Sequence, residues 1–127
     1  DTYNANPDSV RAAIDVLRSL PGKRLLVLGD MGELGSSAME MHGDVGTYAK
    51  HASLDGVYAL GKLTEATIMA LGARGWHFEN VDDLVEVVKP QLAVNVTVLV
   101  KGSRFMKMER VVQKLVADFP SHAGASH

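Results

Sequence analysis

Four short apolar runs, each closed by a turn and followed by a segment of helical periodicity, constrain the fold of this chain more than any other feature. They are residues 24–28, 57–60, 76–78 and 94–100. Strands alternating with helices build a largely parallel sheet, because a parallel neighbour is reached only by a crossover long enough to hold a helix. A three-layer α/β domain, its sheet covered by helices on both faces, is therefore expected. The run V-N-V-T-V-L-V over 94–100 is the most β-branched of the chain and is expected to be a central strand. Right-handed crossovers then bring the loops after Leu28, Leu60, Phe78 and Val100 to one edge of the sheet.

The helices carry their own start and stop signals. Asn6 can cap and Pro7 suits a first helical position, where no N–H is needed. Val10, Ala13, Ile14 and Leu17 follow at helical spacing, and Pro21-Gly22 ends the segment. Ser37, with Glu40 three residues on, reads as a capping box for a helix over 37–52, and Leu54-Asp55-Gly56 turns the chain. A helix over 64–71 stops at Gly72. Asn80 or Asp82 caps one that ends near Pro90, and the last helix is expected over 106–119. The small, polar tail over 120–127 is expected to fray.

One domain over 1–119 suits a chain of 127 residues, and such a length buries a real core. The formal net charge of −2 supplies no electrostatic footprint for nucleic acid or anionic lipid, so neither is expected as a partner. No apolar run approaches the roughly 20 residues of a membrane-spanning helix. There is no cysteine, hence no disulfide framework and no thiolate metal site, which fits a reducing cytosol. His42, His51, His77, His122 and His127 lack the spacing of metal ligands; each reads as structural or solvated, and no metal site is expected. The chain opens on Asp1 without a signal peptide, and its start reads as cut from something larger.

The loop 29–35, G-D-M-G-E-L-G, joins the first strand to a helix and is the first candidate for chemistry. Two readings fit it. Its N–H groups and the helix N-terminus could meet an anion while Asp30 accepts from hydroxyls. Alternatively it is a tight turn whose glycines take positive φ, with Asp30 and Glu33 solvated. It is neither a phosphate-binding G-x-x-x-x-G-K-[ST] loop nor the dinucleotide fingerprint G-x-G-x-x-G. In the opening cluster, a cap with an Asx turn accounts for Asn6 and partly for Asn4, and leaves Asp1 and Tyr3 without a role. Lys101-Gly102-Ser103-Arg104 is either a turn with Ser103 as cap or a clamp in which Arg104 binds a carboxylate or phosphate in bidentate fashion. Lys62, after the second strand, carries the same ambiguity on the same edge. No serine stands in G-x-S-x-G, so a hydrolase triad has no support. These residues alone describe an anion-friendly strand edge without a complete catalytic set.

Y-N-A-N-P-D-S before a helix, L-G-D-M-G-E-L-G with His42 downstream, and V-K-G-S-R near the end together resemble the C-terminal domain of the Mur ligases. The likeness runs from Asp1 to about Phe119. It implies a Rossmann-like domain of an ATP-dependent amide ligase of peptidoglycan synthesis in the bacterial cytoplasm. In the implied reaction ATP phosphorylates the carboxylate of UDP-MurNAc-tripeptide, and the amine of D-Ala-D-Ala attacks the acyl phosphate. The N-terminal and central domains of the same enzyme are the implied partners. ATP and Mg²⁺ are then held in the full-length enzyme and not by this domain alone, which carries no catalytic residue and is expected to be inactive in isolation. By the resemblance Asp30 matches a ribose-binding carboxylate, Lys23 lies in a turn that touches the nucleotide, and Asn4 and Asn6 stand beside it. Lys62, Ser103, Arg104 and Phe105 occupy positions that hold the incoming substrate. A lysine that some relatives place after the aspartate is absent here, where Gly32 and Glu33 stand. A sister ligase adding another amino acid and a stand-alone nucleotide- or anion-binding module are the alternatives.

Overall fold

The structure, a computed structural model, describes residues 5–117. Asp1, Tyr3, Asn4, the end of the expected last helix and the tail over 120–127 lie outside the described residues. Asn6 caps the first helix, α1 (Pro7–Arg18), as its sequence requires. Its side chain accepts the Ser9 N–H at 2.9 Å, and the Ser9 hydroxyl accepts the Asn6 N–H at 3.0 Å. The stripe Val10, Ile14 and Leu17 is wholly buried, each side chain stabilising the fold by about 1.5–3 kcal/mol.

The chain then alternates as expected: β1 (Lys23–Gly29), α2 (Ala38–Ala52), β2 (Gly56–Leu60), α3 (Thr64–Leu71), β3 (Gly75–Phe78), α4 (Val81–Val88), β4 (Val96–Lys101) and α5 (Glu109–Val116). Every pairing is parallel, in the order β3-β2-β1-β4, with Leu26 opposite both Val57 and Leu99. Leu26 and Leu28 pack with residues of α1 and α2 on one face, while Leu25 and Val27 pack with Leu84, Val88, Val111 and Leu115 on the other. Helices thus cover both faces, giving the three-layer arrangement. All the carboxyl ends of the strands lie on one edge, where the loops after Gly29, Leu60, Phe78 and Lys101 meet.

Four local expectations are corrected. Among the described residues β4 is an edge strand, not a central one, and all six of its residues are only half-buried. Its β-branching suits a half-buried pleat, while the unbroken buried run that a central strand needs is Leu25–Leu28 of β1. The capping box at Ser37 does not form: residues Gly35–Ser37 make a 3-10 turn, and the Ser37 side chain bonds no helix N–H. In the loop after β1 the positive φ falls on Glu33 (60°) and Gly35 (64°), not on Gly29 or Gly32. The last helix starts later than expected, because Arg104–Met106 form a 3-10 turn and Lys107 takes a left-handed conformation at φ 51° before α5.

The opposite, amino edge is held by Arg24. Its guanidinium donates to the carbonyls of Arg18 at 2.9 Å and Ser53 at 3.0 Å, and its N–H donates to the Asp55 carboxylate at 2.8 Å. This N–H, foremost, and then the guanidinium hold the Asp55 carboxyl below the ordinary carboxylate range, against the opposing effect of burial.

Candidate ligand cleft at the carboxyl edge

A cleft of about 610 Å³ opens on the carboxyl edge, lined by Ala5 and Asn6, by Gly32, Glu33 and Leu34, and by Ser103, Arg104 and Phe105. The sheet topology brings these three stretches together from the start, first quarter and end of the chain. Asn6 reaches the cleft as the cap of α1, and Glu33 through its left-handed backbone. The loops after β1 and β4 are joined by the Ser103 N–H, which donates to the Asp30 carbonyl at 2.9 Å. Close approach is needed here, and Met108 fills the space beside Gly29 and Gly102 that Cβ atoms would take, with its Sδ 2.7 Å from such a position on Gly29 and its Cγ 2.5 Å from that on Gly102. Phe105 is 66% exposed, a large apolar ring standing at the cleft in solvent. Ser103 differs: its side chain is buried, and among the described residues its Oγ has no hydrogen-bond partner. A buried hydroxyl left unpaired costs free energy until a polar atom meets it.

Asp30 is not among the residues that line this cleft. It is 7% exposed, and its Oδ1 accepts the Thr64 N–H at 2.9 Å at the start of α3. A carboxylate here favours the positive end of the helix. Lys62 stands apart from the Ser103–Phe105 cleft, in a separate hollow of about 440 Å³ with Gly61, Glu65, His77 and Glu79. The Gly61 carbonyl on its rim is hydrogen-bonded by His77 Nε2. Lys23 opens β1 at the amino edge, a strand's length from Asp30, or about 23 Å at roughly 3.3 Å per residue. Asn4 lies outside the described residues. The structure thus brings Asn6, Ser103, Arg104 and Phe105 together, sets Asp30 and Lys62 nearby, and leaves Lys23 at the far end of the sheet.

One residue that holds this edge is not evident from motif spacing. His42 is fully buried; its Nε2 accepts the Met31 N–H at 2.9 Å, and its Nδ1 lies 2.7 Å from the Ala38 carbonyl. The signal was its place on the buried stripe His42, Val45, Gly46, Ala49 and Ala52 of α2. Among the described residues no three His, Asp or Glu gather as metal ligands, and no helix is long and apolar enough to cross a membrane.

Fold and cleft define a Rossmann-like α/β domain that presents its ligand-facing residues on loops at the carboxyl edge of a parallel sheet. The chain belongs to the Mur ligase family: residues 1–104 match the family's glutamate ligase domain. It is 46% identical to the UDP-N-acetylmuramoyl-tripeptide–D-alanyl-D-alanine ligase of Haemophilus influenzae, over 91% of this chain and 26% of that protein. To the Escherichia coli ligase of the same name it is 44% identical, again over 91% and 26%. The crystal structure of MurF from Acinetobacter baumannii matches with a TM-score of 0.79 at 34% identity, over 91% of this chain and 27% of that one. MurF from Thermotoga maritima in complex with ADP matches at 0.80 and 29%, over 91% and 26%. The chain therefore spans about a quarter of the length of the relatives it matches.

Proposed function

We propose that this chain is the C-terminal, dipeptide-binding domain of the cytoplasmic ligase that joins D-Ala-D-Ala to UDP-MurNAc-tripeptide at the expense of ATP. The observation that carries the reading is the convergence of Asn6, residues 32–34 and residues 103–105 on one cleft, in a chain whose relatives bear that ligase's name. The dipeptide is a zwitterion, so its site needs a cation for the carboxylate and donors for the amide. Arg104 supplies a planar fork for the carboxylate, and the unpaired Ser103 hydroxyl supplies a polar partner within the wall. Phe105 gives the methyl groups an apolar surface, and Lys62 adds positive charge along the same edge. Asp30 is the ribose-facing carboxylate, sharing its charge between α3 and the nucleotide, and Asn4 and Asn6 flank the nucleotide. Lys23, at the other end of β1, belongs to a surface separate from this cleft.

ATP supplies the activation of the tripeptide carboxylate; Mg²⁺ and the phosphates are the task of the central domain. This domain's residues bind and orient the amine for attack, which is where a large part of such a barrier is removed. A domain that completes the site only on closing also excludes water from the activated acid. The test is ADP release by the intact ligase with UDP-MurNAc-tripeptide and different amines. D-Ala-D-Ala is expected to support release, and single amino acids are not. Release supported equally by a single amino acid would assign the chain to a sister ligase.

A further inference from the structure

We propose that His42 is a positioning residue: its imidazole, proton on Nδ1, fastens the 32–34 wall of the cleft and so sets the affinity for the incoming dipeptide. The kinetic part of this inference rests on the function proposed above; the structural part does not. The Ala38 carbonyl, 2.7 Å from Nδ1, can only accept, so Nδ1 carries the proton. Nε2 is then a bare acceptor, and it takes the Met31 N–H at 2.9 Å. No other acceptor among the described residues takes that N–H, and Met31 and His42 are both buried, so water does not replace the bond.

Met31 is the residue before the wall. The carbonyl end of the same peptide group is held too, by the Ser103 N–H on the Asp30 carbonyl. Directly after this doubly held peptide group Gly32 lies against Ser103 and Phe105, a Cβ on it standing 3.3 Å from the Ser103 Cβ and 3.5 Å from the Phe105 ring. Glu33 is kept left-handed at φ 60°, a conformation a non-glycine residue holds only when its neighbours fix it. His42 is in turn anchored to α3, since the Thr67 hydroxyl donates to the His42 carbonyl at 2.8 Å. Neither hydrogen bond of the imidazole goes to a cleft-lining residue. It acts through Met31.

The test compares H42Q with H42N in the intact ligase. A glutamine amide oxygen reaches the place of Nε2 and can accept from Met31, while asparagine is one atom shorter and replaces only the Nδ1 donor. H42Q is expected to keep slow hydrogen exchange over 30–35 and a KM for D-Ala-D-Ala near that of the wild type. H42N is expected to exchange faster there and to raise that KM about tenfold, with kcat changed far less. T67V breaks the neighbouring bond to α3 and is expected to lose stability without this rise in KM. H42N matching wild type in exchange or in KM would overturn the proposal, and so would T67V reproducing the H42N kinetics. If the wild-type enzyme does not use D-Ala-D-Ala, the function proposed above fails, and the exchange data alone decide whether His42 fastens the loop. Imidazole ¹⁵N signals of the wild type give a measurement that needs no variant: a proton on Nδ1 and none on Nε2 is expected, and the reverse tautomer overturns the assignment.

Discussion

The carboxylate of Asp30 occupies the space in which a side chain at residue 61 would stand: a Cβ on Gly61 would lie 2.4 Å from Asp30 Oδ1, where the backbone holds φ at 117°. Glycine is needed there twice over, for its conformation and for the room it leaves. Gly61→Ala is expected to destabilise the domain by about 1–3 kcal/mol in denaturant unfolding. Asp30→Ala in the intact ligase is expected to raise the KM for ATP; a change confined to dipeptide affinity would contradict the ribose role.

Ser103 separates stability from binding. Removing a buried hydroxyl that has no partner among the described residues relieves its desolvation cost. Ser103→Ala is therefore expected to leave the thermal midpoint unchanged or raise it, while the KM for D-Ala-D-Ala increases. A loss of stability with unchanged KM would mean that the hydroxyl serves the fold and not the ligand.

Helices α2 and α3 meet at Gly46, where a Cβ would lie 2.1 Å from the Thr67 carbonyl oxygen. Backbone cannot retreat as a flexible side chain can. Gly46→Ala is expected to cost about 1–3 kcal/mol by calorimetry, in spite of alanine's better helix propensity. It should also weaken the Thr67–His42 bond.

The Arg24–Asp55 contacts predict an acid dependence. The Asp55 carboxyl is held below its ordinary value, so its contribution is fully present above the unfolded value, near pH 4, and is lost as pH falls through the folded value. With its side chain 38% exposed, the effect is small. D55N is expected to be less stable than wild type at neutral pH, with the gap narrowing below about pH 4. A gap that widens on acidification would contradict the assignment.

Much of this was legible in the sequence because local chemistry and tertiary structure agree. Asn6-Pro7 caps α1 as its residues dictate, and α3 runs from Thr64 to Leu71 and stops at Gly72. The four-fold alternation was enough to place the loops after Gly29 and Lys101 on one edge, and the pairing of β1 with β4 makes them neighbours there. What was not legible depended on neighbours far along the chain. Ser37 fails to cap for a local reason, since it ends the 3-10 turn Gly35–Ser37, but whether β4 is central depends on what lies beside it. The burial of Asp30 was hidden for the same reason, since only Thr64 and Gly61 reveal that a loop carboxylate is also a helix cap. His42 belonged to the family likeness but had no role in the sequence until the Met31 N–H and the Ala38 carbonyl were seen on either side of it.

The most direct measurement of the central claim is a crystal structure of the intact ligase with D-Ala-D-Ala and a non-hydrolysable ATP analogue. The dipeptide is expected in the cleft between residues 32–34 and 103–105, its carboxylate on Arg104 and a polar atom on Ser103 Oγ. A dipeptide held wholly by the other domains, with this cleft left to solvent, would contradict the account.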